Sequence, residues 1–159
     1  MKERSASHVS LRVSDIDRST RFYTEFLGGR VVMDISFDAD YIESVFGAPP
    51  GTAAQMRFIV FDDITVEIWE FRPGPPIPAT DQTSVGLMHF CLMVEDVVGT
   101  VRRVESAGGR APFPIRQFGP SGHFVYIEDP DGNVVELLDI TLEECLAQLD
   151  EGTLPDVTV

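Results

Sequence analysis

The chain has 159 residues, of which 43% are hydrophobic, so it is most simply one domain that can bury a sizeable core. Its formal net charge of −14 argues against nucleic acids and anionic membranes as partners, because basic patches bind both. No apolar run approaches the roughly 20 residues that a membrane span needs. Residues 1–7 are polar and lack the apolar region of a signal peptide. We therefore expect a cytoplasmic protein.

The number and spacing of the cysteines also indicate the reducing environment of the cytoplasm. Cys91 and Cys145 are the only cysteines, and they do not form a Cys-x-x-Cys motif. A disulfide framework is therefore not indicated. We expect both residues to be buried free thiols, which behave as small hydrophobic side chains.

The first predicted elements are a strand, a helix and a second strand. His8–Val13 alternates between polar and apolar residues, which is typical of a half-buried strand. Ser14 or Asp15 can cap the following helix, whose apolar residues at helical spacing are Phe22, Tyr23, Phe26 and Leu27. Gly28-Gly29 should end this helix. The second strand is predicted over Arg30–Ser36.

An insertion at residues 38–52 separates these elements from the next two strands. Its apolar residues could form one short helix face: Tyr41, Ile42, Val45 and Phe46. Strands are then predicted over Gln55–Phe61 and Ile64–Phe71, with a tight turn at Asp62-Asp63. In the second of these strands, alternation places Glu67 and Trp69 on the face opposite Val66 and Ile68.

After a Pro-rich linker, Arg72–Thr83, the same order of elements returns. The predictions are a strand at Leu87–Val94, a helix containing Val97, Val98, Val101 and Val104, a Gly-Gly stop at Gly108-Gly109, a loop at 111–122, strands at His123–Glu128 and Val134–Ile140, and a turn at Asp129–Gly132. Leu142, Cys145, Leu146 and Leu149 indicate an amphipathic helix at 141–150.

The two halves are copies of one unit. His8–Asp15 aligns with His89–Asp96, and both copies then run through a helical pattern to Gly-Gly-Arg. A period of about 70 to 80 residues is too long for a solenoid and fits a duplicated module. We therefore predict an α+β fold of two β-α-β-β-β modules, at 7–71 and 84–140, whose sheets pair around a shared cleft.

Each copy of the repeat contains a histidine and a glutamate at matching places, and both are residue types that bind metal ions. His8 and His89 open matching strands, and Glu67 and Glu136 lie in the centre of matching apolar strands. A carboxylate there is costly without a partner. Imidazole nitrogens and carboxylate oxygens are good ligands for Zn, Ni, Co, Mn or Fe(II). The sequence therefore predicts one divalent metal ion held by His8, Glu67, His89 and Glu136.

These residues and their surroundings resemble the vicinal oxygen chelate superfamily, which includes glyoxalase I, methylmalonyl-CoA epimerase, extradiol dioxygenases and the bleomycin and fosfomycin resistance proteins. The resemblance covers residues 7–140. Its most specific parts are the segment from Leu11 to Tyr23 with the following Leu-Gly-Gly, and the segment from Tyr126 to Leu137. It implies the metal-centred cleft, and it favours a homodimer.

Within that superfamily the four predicted ligands look most like glyoxalase I. This resemblance implies a metal-dependent lyase or isomerase that chelates vicinal oxygens of a small carbonyl or carboxylate substrate. A metal-bound glutamate, Glu67 or Glu136, would shuttle the α-proton. Epimerases usually carry glutamine in place of Glu67, and Phe71 replaces an asparagine of bacterial glyoxalases. An epimerase, an Fe(II) extradiol-type dioxygenase and a non-catalytic antibiotic-binding protein remain alternatives.

Five further residues are predicted to contact the small-molecule substrate. Arg12 shares a strand face with His8 and could bind a carboxylate. If Trp69 and Met93 face the cleft, they favour a partly apolar substrate. The other two candidates are His123 and Tyr126. The sequence leaves open whether the modules pair within one chain or between two chains.

Overall fold

The computed structural model of the chain describes residues 7–74, 86–118, 122–141, 143–144 and 147. By its internal contacts the chain divides into two units, Met1–Ala79 and Thr80–Val159. The division falls within the predicted linker, most of which lies outside the described residues. None of the described helices is long and apolar enough to cross a lipid bilayer.

The described residues of the first unit form a four-stranded sheet and two α-helices. Helix α1 continues directly into a π-helical turn, Phe22–Phe26. The elements in chain order are β1 (Val9–Arg12), α1 (Ile16–Arg21), β2 (Arg30–Phe37), α2 (Ala39–Phe46), β3 (Ala53–Val60) and β4 (Thr65–Arg72). The strand order is β1-β4-β3-β2, and β1 is parallel to β4.

The second unit repeats this sheet, and its described residues contain no equivalent of α2. Its elements are β5 (Phe90–Met93), α3 (Val97–Ser106), β6 (Arg116–Phe118), β7 (Gly122–Glu128) and β8 (Val134–Leu138). The strand order is β5-β8-β7-β6, and β5 is parallel to β8. The predicted α+β fold of two β-α-β-β-β modules is confirmed.

One face of each sheet is covered by the helix that follows its first strand, and we call this the helix face. Helix α1 contacts β3 and β4, while α3 contacts β7. Alternation puts the aliphatic side chains of the strands on this face, where they are buried. They include Leu11, Ile59, Val66 and Ile68 in the first unit, and Leu92, Val125, Ile127 and Leu137 in the second. These two cores leave the opposite face of each sheet, the open face, available for other contacts.

The repeated Gly-Gly stops have a structural cause. Gly28 and Gly108 both have a φ of 82°, a left-handed conformation that favours glycine. Gly29 has no room for a side chain, because a Cβ there would lie 2.6 Å from Ile59 Cγ2 and 2.9 Å from the backbone oxygen of Tyr23. Gly28 and Gly108 therefore end their helices, and Gly29 lets the chain pass close to Ile59 of the sheet.

Both helices also begin in the same way. Asp15 accepts a hydrogen bond of 2.9 Å from the backbone N–H three residues further on, and Asp96 does the same in α3. Glu70 accepts a bond of 3.0 Å from the first N–H of α1, and Asp139 accepts one of 3.5 Å from the first N–H of α3. In each unit the end of the last strand is thus tied to the start of the helix.

We expect Glu70 to make the stability of the first unit depend on pH. Hydrogen bonding to Arg72 and to the N–H of Ile16 outweighs burial and lowers the pKa of the Glu70 carboxyl below its ordinary 4.5. The ionised carboxylate therefore stabilises the fold above pH 4.5, and this contribution is lost as the pH falls through the lowered pKa. Urea unfolding of a Glu70→Gln variant should show a weaker loss of stability on acidification than the wild type.

The matched control for this measurement is Glu43→Gln, because Glu43 is exposed on α2. The control should follow the wild-type pH dependence. An equally steep acid loss in Glu70→Gln and wild type would contradict the assignment.

Some predicted boundaries were wrong. The predicted loop at 111–122 contains β6, a three-residue strand at Arg116–Phe118 that pairs with β7. The strand predicted over Leu87–Val94 is confined to Phe90–Met93. The helix predicted at 141–150 falls largely outside the described residues, as does Cys145.

Candidate functional site

His8 and Glu67 lie side by side on the open face of the first sheet. Ser10 pairs with Glu67 in the parallel β1–β4 register. Because His8 stands two residues before Ser10, strand alternation puts all three side chains on one face. His8 Nε2 lies 3.7 Å from Glu67 Oε2, and the side chains are 39% and 12% exposed. A ligand can therefore reach both groups.

His89 and Glu136 form the same arrangement in the second unit. Cys91 pairs with Glu136 in the β5–β8 register, as Ser10 does with Glu67. His89 Nε2 lies 3.2 Å from Glu136 Oε2. His89 Nδ1 is buried, and in the part of the chain that the structure describes it has no hydrogen-bond partner. A buried polar nitrogen in this state is costly unless a ligand or water satisfies it.

The two pairs differ in the aromatic residue beside the glutamate. Phe58 pairs with Glu67 across β3 and β4, and its ring lies 5.4 Å from that of His8. Tyr126 pairs with Glu136 across β7 and β8, and its ring lies 5.0 Å from that of His89. Burial, followed by the charge of Glu136 and a hydrogen bond to it, raises the pKa of Tyr126. A phenol therefore holds Glu136, whereas Phe58 offers Glu67 no hydrogen bond.

The expectation that Cys91 is buried was wrong, because this thiol is exposed on the open face. His89, Cys91 and Met93 follow each other at intervals of two residues. Alternation along β5 therefore predicts that all three side chains lie on the same face. Ser10 occupies the equivalent place in the first unit. Neither Ser10 nor Phe58 was singled out from the sequence, although both lie directly beside the His8–Glu67 pair.

Arg12 and Trp69 also lie on the open face of the first sheet, where they pair with each other in register. Arg12 is exposed. Trp69 is only 9% exposed, because Phe37, Phe46 and Phe71 pack around its ring. The indole therefore belongs to an aromatic cluster and offers only a small surface to a ligand.

Met93 and His123 have different positions relative to the pair in the second unit. Met93 is 53% exposed on the same face as His89. His123 has the opposite strand parity to Tyr126 and lies on the helix face, where its Nδ1 is 3.3 Å from Asp139 Oδ2. The structure therefore does not bring His123 to Glu136, and its position does not support the prediction that it binds substrate.

The imidazole nitrogen and the carboxylate oxygen of each pair are suitable as part of the ligand set of one divalent metal ion. One imidazole and one carboxylate approach each other on an accessible face in each unit. In both pairs it is the histidine Nε2 that faces the glutamate, so this nitrogen is the one that would donate to an ion. Within either unit, the described residues contain no group of three or more His, Cys, Asp or Glu side chains that could hold a metal ion. Each unit by itself thus offers one imidazole and one carboxylate.

The whole sheet-bearing part of the chain matches a known family. A family model described as the Glyoxalase/Bleomycin resistance protein/Dioxygenase superfamily matches residues 5–137. The "Probable lactoylglutathione lyase, chloroplastic" of Arabidopsis thaliana is 30% identical over 141 residues, which cover 86% of this chain. The matched region spans only 36% of the Arabidopsis protein.

Solved structures share the fold. The structure of a glyoxalase family protein from Bacillus cereus superposes with a TM-score of 0.76 at 19% identity, covering 87% of this chain and 97% of that one. The fosfomycin resistance protein FosX from Listeria monocytogenes, complexed with Mn(II) and sulfate, gives a TM-score of 0.60 at 20% identity, covering 89% and 97% of the two chains.

Proposed function

Because this chain belongs to the Glyoxalase/Bleomycin resistance protein/Dioxygenase superfamily, we propose that it is a metal-dependent lyase or isomerase of the glyoxalase I type. The substrate is a small carbonyl or carboxylate compound with two neighbouring oxygens, and the reaction moves the proton on the carbon beside them. The observation that carries this proposal is the repeated His–Glu pair on the open face of each sheet. The relative named a lactoylglutathione lyase supports the reaction class.

His8, Glu67, His89 and Glu136 would together hold one divalent ion, with the two units supplied by one chain or by the two chains of a homodimer. Two nitrogen and two oxygen donors suit Ni, Co, Zn, Mn or Fe(II). When bound, the ion supplies positive charge that polarises those oxygens and makes the adjacent C–H more acidic.

The residues beside each glutamate support different roles for the two carboxylates. Glu67 takes the α-proton on a carboxylate oxygen and returns it to the substrate, because no phenol beside it occupies its lone pairs. Glu136 is held by Tyr126 and acts mainly as a fixed ligand. Both carboxylates lie in partly buried positions, where less water competes for the proton.

Metal analysis of the purified protein tests the proposal. We expect near-stoichiometric Ni, Co, Zn, Mn or Fe in the wild type and its loss in a His8→Ala/Glu136→Gln variant. The matched control is His123→Ala/Glu70→Gln, which removes one imidazole and one carboxylate from the helix faces and should keep the metal. Wild-type protein that takes up none of these metals on titration would overturn the metal-dependent function.

A second measurement separates the reaction classes. Deuterium incorporation from D2O into a panel of 2-oxo and acyl-CoA compounds reports proton abstraction directly. We expect metal-dependent exchange into at least one member of the panel. Oxygen consumption with catechols and Fe(II), without such exchange, would instead assign the protein to the dioxygenase alternative.

A further inference from the structure

The open face of the first sheet continues past the His8–Glu67 pair as an apolar surface. Strand register arranges its side chains in rows that cross the sheet. The first row is Ser10–Glu67–Phe58–Met33, and the second is Arg12–Trp69–Met56–Ile35. Glu67 is therefore followed, within its own row, by an aromatic ring and a thioether.

Part of this apolar surface is unusually accessible. Met33 and Ile35 are 40% and 36% exposed, although both belong to the open face that carries Glu67. A contiguous exposed apolar patch on a small unit is uncommon and typically marks a place where something binds. The patch begins beside Phe58, whose ring contacts His8. It is thus continuous with the proposed reaction site.

Helix α2 forms one wall of this surface. Ile42 is fully buried and anchors the helix on Ala54, Met56 and Trp69 of the open face. Phe46 packs edge-on against Trp69 with ring centroids 5.3 Å apart, yet it remains 52% exposed. The wall therefore presents half of an aromatic ring toward solvent next to the strand that carries Glu67.

The rings under α2 pack on one another and leave the exposed half of Phe46 to a ligand. Phe37, Trp69 and Phe71 are stacked with interplanar angles of 20° and 15° between neighbours. Phe46 stands at 74° to Trp69 and keeps half of its ring exposed. Aromatic ligands gain from such offset and edge-to-face contacts beyond the burial of their surface.

We infer that the exposed side chains of Met33 and Ile35, the half-buried ring of Phe58 and the exposed half of Phe46 on α2 bind an aryl group of the substrate. This inference rests on the proposed function, since it places the reacting oxygens and the α-carbon at Glu67 and the ring on the patch. The substrate class is then an aryl-substituted 2-oxo or 2-hydroxy carbonyl compound. A charged peptide conjugate would leave its polar groups against apolar side chains, and desolvating them there is costly.

Binding of phenylglyoxylate and glyoxylate to the metal-loaded protein tests the inference. The two probes share the 2-oxo carboxylate and differ in the phenyl ring. Trp69 is the single tryptophan of the chain, so its fluorescence reports binding at α2, and equilibrium dialysis gives the affinity independently. Phenylglyoxylate should bind about tenfold or more tightly than glyoxylate, as expected for burial of a phenyl ring.

Two variants and one control locate the ring. Phe46→Ala and Met33→Ser should each reduce phenylglyoxylate affinity about fivefold to tenfold and leave glyoxylate affinity unchanged. Both replaced side chains are substantially exposed, so circular dichroism should show the wild-type fold. Phe26→Ala is the control, because Phe26 lies in the π-helical turn after α1 and contacts Phe22 instead of the open face.

The outcomes separate this inference from the proposed function. Equal affinity for the two probes, or an unchanged affinity in both variants, would overturn the aryl site even if the protein binds metal and exchanges protons. Tight, Phe46-dependent binding of phenylglyoxylate by protein that takes up no metal would support the aryl site and refute the proposed reaction.

Discussion

Replacing Glu67 with glutamine is expected to lower the rate of α-proton exchange by about a hundredfold to ten-thousandfold, the usual contribution of a positioned general base. Glutamine keeps the size of the side chain and an oxygen that can act as a ligand, but it cannot accept the proton. The measurement is deuterium incorporation into whichever 2-oxo or acyl-CoA compound the wild type exchanges. Metal content is determined on the same sample, and it should remain near the wild-type value.

Glu70→Gln is the matched control for this variant. Glu70 lies three residues further along β4, on the helix face, where it is bonded to the start of α1. The same chemical change at Glu70 should leave the exchange rate within about twofold of the wild type. If Glu67→Gln retained more than a tenth of the wild-type rate while Glu136→Gln with its metal in place lost it, the proton would have to be assigned to Glu136.

The largest expected effect on stability is that of Phe22→Ala. Phe22 is 2% exposed in the layer that covers the first sheet, and its ring packs at 5.2 Å, edge-on, against Tyr23. Removing a buried phenyl ring loses its transfer free energy and leaves a cavity, so the free energy of unfolding should fall by about 3–5 kcal/mol. Urea or thermal unfolding followed by circular dichroism measures the change.

Phe113→Ala provides the comparison for this variant. Phe113 is 44% exposed in the second unit, so the same truncation there should cost much less, on the order of 1 kcal/mol. Similar losses at the two positions would mean that the burial of Phe22 does not determine the effect. An unfolded Phe22→Ala protein in water would agree with the expectation, since it implies a loss at least as large.

Local patterns in the sequence were sufficient for much of the fold. Alternation of polar and apolar residues located the strands, and the repeated Gly-Gly located both helix ends, where Gly28 and Gly108 take up the same φ of 82°. The short strand β6 was missed because its three residues are surrounded by Pro and Gly, which carry no periodicity. Strand parity places His123 on the face opposite Tyr126, which alternation along the predicted strand already implied.

The candidate site was predictable only in part. That His8 and Glu67 would each lie on the face opposite the buried aliphatic residues follows from alternation within single strands. Their approach to 3.7 Å depends on the register between β1 and β4, which no local pattern specifies. Phe58 and Tyr126 lie beside the two glutamates through the antiparallel pairing of consecutive strands. Their difference gives the two glutamates unlike surroundings.

The sequence by itself determined that the protein is a duplicated unit with a histidine and a glutamate at matching places in each copy. These properties follow from residue order and from the two-residue period of a strand. Only the tertiary structure decided which side chains stand beside each pair. It placed α2 over the open face, which buried Trp69 and left Phe46 half exposed. The physical reason is that strand register and helix docking depend on the burial of residues that are far apart in the chain. Such contacts produce no periodic pattern in the sequence.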